Sequence, residues 1–402
     1  MTHPALSHRA LDAQLQAELA ALEAAGLRRT LRPATRAAGA ILRSADGPTE
    51  LVDLASNDYL GLATDPRPAA AAAEQLAREG LGAGSARLIG GDHPLHHALE
   101  RALAALKGAD AALLFASGYA ANTGALPALA GAEDVIYSDA LNHASLIDGC
   151  RLSRATVRVV PHADPTALEE ALAADAGRFR RRWLVVEGVY SMDGDRWPLD
   201  RLVAIARAHG AFTYVDDAHA TGVLGATGRG SAEQWGVTGA IDVTVGTLGK
   251  ALGTSGAFVA GSAALRELLL NRARSFVFTT GTPPALAAAT LRALAVLHDE
   301  PERRARLRAN ARRLRAGLAA MGRPAPGADD GHVVPVLVGE ARATLTVGDA
   351  LRARGFAVGV IRPPTVPAGA SRLRVSVSAA HTAAQLDGFL AALAGALDAA
   401  GA

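Results

Sequence analysis

The sequence predicts an α/β protein built on a mostly parallel seven-stranded sheet between helices, with a smaller α+β domain at its C-terminal end. Its 402 residues exceed the roughly 250–300 at which a single hydrophobic core stops growing, so we expect two domains. Between residues 51 and 261, short apolar runs alternate with helical stretches. This alternation is typical of strands buried on both faces of a parallel sheet.

In chain order, residues 1–50 are expected to form an N-terminal helix followed by a linker. The helix is predicted because leucines recur at helical spacing in residues 11–27. A large domain is expected over 51–284, and a small C-terminal domain over 285–402. The seven strands predicted for the large domain are 111–116, 135–137, 156–160, 183–189, 212–215, 241–245 and 257–260. The small domain is predicted to hold helices over 285–298, 302–321 and near 348–354, strands over 332–338, 356–361 and 373–378, and a final helix from Thr382.

Composition excludes several classes of protein. With 20% charged residues and a net charge of +2, the chain is neither disordered nor a polyelectrolyte. Cys150 is the single cysteine, so no intrachain disulfide can form, which fits the cytoplasm. Residues 1–16 lack the apolar run of a signal peptide, and no stretch approaches the roughly 20 apolar residues of a membrane span. We therefore expect a cytoplasmic protein with no membrane partner.

One arginine-rich segment, residues 302–315, raises the alternative of a nucleic-acid-binding protein. Glutamate and leucine are interleaved there at helical spacing, which favours a solvated helix face over a nucleic-acid surface. The alternative predicts binding that weakens strongly as salt rises. We expect no nucleic-acid partner.

Polar side chains follow three of the predicted strands at their carboxyl ends. Ligands of open parallel sheets bind outside these ends, so the side chains are expected to meet on one rim. An acid such as Asp217 could instead cap a helix, and a lone lysine is usually solvated. Their joint occurrence on three strands, with a glycine-rich segment after the lysine, favours a site. The rim residues are Glu187, Ser191, Asp216, His219, Thr247 and Lys250.

A phosphate site is predicted where Gly118 and Tyr119 open a helix directly after a strand. Backbone N–H groups at a helix N-terminus attract anions, although an ordinary strand–helix turn is the alternative. The glycine-rich residues 82–87 lack the third glycine and the preceding strand of a dinucleotide loop. A lysine for a Schiff base, an acid for a pyridinium nitrogen and a phosphate cradle together indicate pyridoxal 5'-phosphate, with no metal.

Five motifs make the chain resemble the α-oxoamine synthases, pyridoxal-phosphate enzymes of fold type I, the aspartate-aminotransferase fold. These enzymes join an amino acid to an acyl thioester. The resemblance extends from Arg28 to the last helix. Its motifs are SNDYLGL (56–62), SDALNHAS (138–145), EGVYSMDG (187–194), VDDAH (215–219) and GTLGK (246–250).

The resemblance implies roles for individual residues. Lys250 would hold the cofactor and move the α-proton, and Asp216 would pair with the pyridinium nitrogen. His219 would bond the phenolic oxygen, and His143 would stack on the ring; a core or capping histidine is the alternative for His143. The remaining residues expected near the cofactor or the amino acid are Asn57, Gly118, Tyr119, Glu187, Ser191 and Thr247.

The C-terminal segments 361–369, 372–374 and 379–381 resemble the branch that condenses L-alanine with a pimeloyl thioester of coenzyme A or acyl carrier protein in biotin synthesis. The nearest alternative is a sister reaction, such as that of glycine with acetyl-CoA. The resemblance also implies a homodimer.

Arg374 is the expected ligand of the amino acid's carboxylate, because a guanidinium can bind it with two hydrogen bonds. A strand-surface arginine is the alternative. Arg28, Arg362 and Thr365 are expected to meet the acyl substrate, although Arg28 could be a solvated helix end.

Overall fold

The structure is a computed structural model that describes residues 8–45 and 50–401. Residues 1–7, on which the expected lack of a signal peptide partly rests, lie outside this part of the chain. Its strands are β1 (Ala34–Ala37), β2 (Ile41–Ser44), β3 (Glu50–Leu54), β4 (Ala111–Phe115), β5 (Val135–Asp139), β6 (Thr156–Val160), β7 (Arg182–Glu187), β8 (Phe212–Asp216), β9 (Val243–Thr247), β10 (Ala257–Gly261), β11 (Val333–Gly339), β12 (Phe356–Ile361) and β13 (Ser371–Ser376).

Helices connect and cover these strands. They are α1 (His8–Ala24), α2 (Pro66–Glu79), α3 (Pro94–Lys107), α4 (Gly118–Leu129), α5 (Ala144–Leu152), α6 (Pro165–Ala174), α7 (Leu199–Ala208), α8 (Ser231–Gln234), α9 (Ala263–Arg272), α10 (Arg274–Val277), α11 (Pro284–Asp299), α12 (Glu302–Ala320), α13 (Ala341–Ala353) and α14 (Ala383–Ala400). The predicted start of the last helix is correct, because Thr382 caps α14 and Gln385 bonds back to the cap's N–H.

The larger sheet has the order β4-β10-β9-β8-β7-β5-β6. Strand β10 runs antiparallel to both neighbours, and the other four pairs are parallel. All seven strands predicted for the large domain are present, which confirms the α/β class. Alternate residues of β7 point to opposite faces of the sheet. Val185 packs with α4 and α9, whereas Leu184 and Val186 pack with α6 and α7.

The second sheet has the order β1-β2-β3-β12-β13-β11 and joins the two ends of the chain. Strands β1, β2 and β3 were not predicted, because β1 and β2 have four residues each and none that is buried, and two of the five residues of β3 are acids. β3 pairs in parallel with β12, although it straddles the expected domain boundary at residue 51. The domain limits stay a prediction.

A continuous apolar core joins the two sheets. It includes Tyr59 and Leu60, Leu252 beyond β9, and Val375 of β13. The carboxyl ends of β7, β8 and β9 therefore face the second sheet, and the residues between the sheets can meet.

Helix α12 contains the arginines that raised the nucleic-acid alternative. Arg304 and Arg315 are buried and donate to backbone carbonyls, those of Leu297 and Gly331 among them. Arg313 pairs with Asp387. Much of this basic segment thus binds the protein itself. No helix among residues 8–45 and 50–401 has the length and apolarity needed to cross a bilayer.

Candidate active site

Two carboxylates end neighbouring strands at the rim of the larger sheet. Glu187 and Asp216 are the last residues of β7 and β8, and they are partners in the parallel register. Asp216 accepts hydrogen bonds from Asn122 Nδ2 at 2.7 Å and from the N–H of Ala218 at 3.0 Å. These donors hold the carboxylate in a fixed orientation.

Lys250 lies in the turn after β9, with its Nζ 3.0 Å from His219 Nε2. Burial lowers the pKa of Lys250 to about 8, and the carboxylates of Asp216 and Glu187 oppose this only in part. An amine with such a pKa is available as a nucleophile or base near neutral pH.

His219 is buried between Lys250 and Tyr59. Its Nδ1 lies 2.6 Å from the hydroxyl of Tyr59, and that hydroxyl lies 3.0 Å from Asn57 Oδ1. Burial, and then the charges of Lys250 and Arg374, hold the pKa of His219 well below its usual value. The ring is therefore neutral.

His143 lies before α5, and its backbone N–H donates to Glu187 Oε1 at 2.6 Å. Burial, and then the neighbouring charge of Asp216, raise the pKa of Glu187 well above its usual value. The loop after β5 and the end of β7 are thereby joined beside Asp216.

The N-terminus of α4 opens onto the same rim. Ser117 caps the helix through a 3.1 Å bond from the N–H of Ala120, and Gly118 and Tyr119 follow. A Cβ at Gly118 would lie 2.8 Å from Cγ2 of Thr247, so a glycine permits this close approach. Thr247 Oγ1 lies 3.3 Å from the carbonyl oxygen of Ala218.

Arg374 reaches the rim from β13 of the second sheet and is 6% exposed. Its Nη1 donates to Asn57 Oδ1 at 3.0 Å, and its Nε donates to the carbonyl oxygen of Ser191. The hydroxyl of Tyr59 lies 3.4 Å from Nη2. The buried position differs from the strand-surface alternative, and Nη2 is the nitrogen with the greatest remaining capacity to donate.

Arg28, Arg362 and Thr365 form a second group, between the end of α1 and the segment after β12. Arg362 is buried and donates to the carbonyl oxygens of Gly26 and Arg28. The Arg28 side chain is half-exposed and lies 3.5 Å from Glu23. Thr365 is exposed. These three residues bond to one another, to the end of α1 and to Gly26 just beyond it, apart from the bonds of Lys250.

Two residues of the rim, Asn122 and Tyr59, were not among those predicted. Asn122 lies one turn after Gly118 on α4, so the i, i+4 spacing from the phosphate cradle was a usable signal. Tyr59 belongs to the 56–62 motif, but its contact with His219 joins residues distant in the chain. Tyr119, which was expected to line the cofactor, donates its hydroxyl to Asp148.

The donor set fits pyridoxal 5'-phosphate. The free N–H groups at the start of α4 suit a phosphate, Asp216 suits a protonated ring nitrogen, and the low-pKa amine of Lys250 suits an aldehyde. Gly118 leaves space where any larger residue would meet Thr247.

Comparisons with known proteins agree with this chemistry. The family model described as aminotransferase class I and II matches residues 49–393. An 8-amino-7-oxononanoate synthase from Anaeromyxobacter dehalogenans is 52% identical over 392 residues, 98% of this chain and 97% of that protein.

Two solved structures are similar over most of their length. A serine palmitoyltransferase from S. paucimobilis with bound PLP–myriocin has a TM-score of 0.90 and 33% identity, over 99% of this chain and 100% of that one. An 8-amino-7-oxononanoate synthase from Francisella tularensis has a TM-score of 0.76 and 27% identity, over 87% and 98%. The chain thus belongs to the aminotransferase class I and II family and, within it, to the 8-amino-7-oxononanoate synthases.

Proposed function

We propose that the protein condenses L-alanine with a pimeloyl thioester to give 8-amino-7-oxononanoate, CO2 and the free thiol carrier, coenzyme A or acyl carrier protein. The observation that carries the proposal is the convergence of Lys250, Asp216, His219 and His143 on one rim, in a chain 52% identical to an enzyme of that name. Pyridoxal 5'-phosphate, when bound, supplies an electron-accepting ring that stabilises negative charge at the amino acid's Cα.

Asp216 and Lys250 are assigned to two protons, one on the ring nitrogen of the cofactor and one on the Cα of the amino acid. Asp216 would stabilise a proton on the ring nitrogen of the cofactor, and the amide of Asn122 keeps this carboxylate in place. Lys250 would hold the cofactor through its aldehyde group, and its amine would accept the proton from the Cα of the amino acid. A pKa of about 8 suits the lysine to that exchange.

The two histidines would hold the ring from different sides. His219 is neutral and would hydrogen-bond the phenolic oxygen of the ring, with its own orientation set by Tyr59. His143 would cover a face of the ring, and its backbone N–H is anchored to Glu187. Gly118, Tyr119, Ser191 and Thr247 are the remaining proposed contacts of the cofactor.

Arg374 binds the carboxylate of L-alanine, with Asn57 beside it. Asn57, Ser376 and the Ser191 carbonyl accept from Nη1 and Nε, which leaves Nη2 as the donor to the substrate. The hydroxyl of Tyr59, at 3.4 Å, is the group that a bound carboxylate would displace or share.

The acyl end is assigned to Arg28, Arg362 and Thr365. A pimeloyl chain ends in a carboxylate, which needs a cationic partner when it leaves water. Arg362 is buried, and its Nε has no hydrogen-bond partner within the described ranges. This unused donor is what supports the assignment.

We assign the protein to the cytoplasm and to a homodimer. A single buried cysteine with no disulfide partner supports the first assignment. The exposed apolar side chains of Leu88, Ile89 and Phe278, on two segments joined by the bridge between Ala86 and Thr280, support the second, because a second copy of the chain would cover them.

A sister condensation is the second candidate, because the serine palmitoyltransferase structure matches with the higher TM-score. The test is a competition assay in which L-alanine, glycine and L-serine are offered together with pimeloyl-, acetyl- and palmitoyl-CoA, and products are measured by mass spectrometry. An apolar pocket discriminates between substrates that differ by one methylene by roughly 10–200-fold. We expect 8-amino-7-oxononanoate as the main product, and a main product from glycine or L-serine would overturn the assignment.

A further inference from the structure

A line of four polar side chains runs beneath the rim, from the core of the sheet to His143. Tyr214 Oη lies 2.8 Å from Asn122 Oδ1, Asn122 Nδ2 lies 2.9 Å from Ser145 Oγ, and Ser145 Oγ lies 2.8 Å from His143 Nδ1. Tyr214 and Asn122 are fully buried, and Ser145 is nearly so. Buried polar groups of this kind are costly unless each one is satisfied.

The carboxylate of Asp216 sets the orientation of the Asn122 amide. An ionised carboxylate only accepts hydrogen bonds, so the Asn122 atom 2.7 Å from Asp216 Oδ2 is the nitrogen. The two hydrogens of Nδ2 then go to Asp216 and Ser145. The carbonyl oxygen of Asn122 faces Tyr214, which must donate to it.

The direction of each later bond follows from that orientation. Ser145 Oγ accepts from Asn122, and its own hydrogen goes to the other neighbour, His143 Nδ1. The backbone N–H of Ser145 also donates to His143 Nδ1, at 3.2 Å. With two donors aimed at it, Nδ1 carries a lone pair, so the ring proton is on Nε2.

We propose that Tyr214, Asn122 and Ser145 act as positioning residues, a one-way hydrogen-bond chain that holds His143 as the neutral tautomer with its proton on Nε2. The same amide of Asn122 fixes Asp216, so one side chain sets both the acid at the ring nitrogen and the histidine over the ring. The chain also explains why residue 214 carries a hydroxyl, since packing alone would be served by phenylalanine.

Four titratable groups surround His143. Lys250 disfavours a second proton on the ring, and Asp216 favours one. His219 is neutral and adds no charge, and Glu187 accepts from the backbone N–H. Partial burial lowers the pKa of His143, which agrees with a ring that stays neutral.

The test is an NMR measurement on the holoenzyme labelled with 15N-histidine. Long-range 1H–15N correlations distinguish a protonated nitrogen from an unprotonated one, and His143→Gln assigns the signals. We expect Nδ1 unprotonated and Nε2 protonated in the native enzyme at pH 7. A proton on Nδ1 would overturn the proposal. This measurement on the native enzyme tests the proposal without any substitution in the hydrogen-bond chain.

Substitutions in the hydrogen-bond chain measure how much it contributes to keeping His143 neutral. Ser145→Ala removes one donor to Nδ1, so the pH at which His143 gains its second proton should rise by about 0.5–1 unit, the worth of one hydrogen bond. Tyr214→Phe should give a smaller rise through the freed amide of Asn122. An unchanged titration of His143 in Ser145→Ala would overturn the proposal.

Tyr137→Phe is the matched control. It deletes the hydroxyl of another fully buried tyrosine in the same sheet, where the hydroxyl donates to Asp175. The control should leave the tautomer and titration of His143 as in the native enzyme. An equal shift of the His143 titration in Tyr137→Phe and Tyr214→Phe would mean that loss of either buried hydroxyl has the same effect. That result would overturn the role of the hydrogen-bond chain.

Discussion

Consecutive acids at the end of β8 face two lysines in opposite electrostatic settings. On one side, Asp217 accepts from Lys107 Nζ at 2.6 Å, and both side chains are almost completely buried. On the other side, Asp216 is bonded to Asn122, and Lys250 Nζ lies 3.0 Å from the neutral His219. The lysine in an ion pair holds the structure together, whereas burial lowers the pKa of Lys250, which can react.

The pairing around Asp217 is complete. Lys107 also donates to the carbonyl oxygen of Arg229 at 2.6 Å, and both the backbone and the hydroxyl of Ser231 donate to Asp217. The chain contains two lysines, Lys107 and Lys250, so the comparison covers every lysine in the sequence. Each can be changed separately.

The largest expected effect is that of Lys250→Ala. Loss of the amine removes both the attachment of the cofactor and the base at Cα, so we expect turnover to fall by at least about 10³-fold. The rate of 8-amino-7-oxononanoate formation measures this loss of turnover. Lys107→Ala is the control and is assayed under conditions where that variant is folded. Turnover in Lys250→Ala within tenfold of the native rate would contradict the role of Lys250.

Lys107→Ala should act on stability instead. It leaves the Asp217 carboxylate buried without its cation, and removing one partner of a buried ion pair costs about 3–5 kcal/mol. Denaturant unfolding monitored by circular dichroism measures this loss. Lys107→Ala combined with Asp217→Asn should recover part of the stability, and a double variant less stable than Lys107→Ala would argue against the pair.

A third cation extends the comparison. His162 lies between Asp139 and Asp195, with its ring nitrogens 2.8 and 2.5 Å from their carboxylates. Burial alone would lower the pKa of His162, but the two carboxylates outweigh it and raise the pKa to about 10. Its pairing resembles that of Lys107, although the site is partly exposed.

His162→Gln should therefore destabilise the protein by roughly 1–3 kcal/mol, less than a fully buried pair. The folded pKa lies above the unfolded value of about 6.5, so the histidine's charge stabilises fully below pH 6.5 and less as the pH rises towards 10. The difference in unfolding free energy between native and variant protein should shrink from pH 6.5 to 10. A difference that grows over this range would contradict the assignment.

The smallest expected effect concerns the pH dependence of Lys250 itself. In protein freed of cofactor, the neutral amine fraction should rise roughly fivefold between pH 7 and 8 for a pKa of about 8. The rate of covalent attachment of pyridoxal, followed by absorbance and trapped with borohydride, should rise likewise. Peptide mapping distinguishes Lys250 from Lys107, and equal labelling of the two lysines would remove the contrast between them.

Much of the larger sheet and its rim could be predicted, because buried strands give apolar runs and Asp216, His219 and Lys250 follow those runs directly. Asp217 illustrates what could not be predicted. Its position after a strand suggested a helix cap, yet it pairs with Lys107, from the end of a helix far earlier in the chain. No local pattern records such a contact, and the same is true of Tyr59 with His219.

The placement of β3 has a consequence for the order of folding. β3 lies near the start of the chain, but its partner β12 and the following β13 lie near the end, with Val52 opposite Phe356. During synthesis the larger sheet can form while β3 is paired on one edge with β2 and its other edge, which later pairs with β12, is still open, because domains fold as their segments emerge. An unpaired strand edge invites aggregation. We therefore expect nascent chains released before β12 to be handled by chaperones, even with every residue of the larger sheet already made.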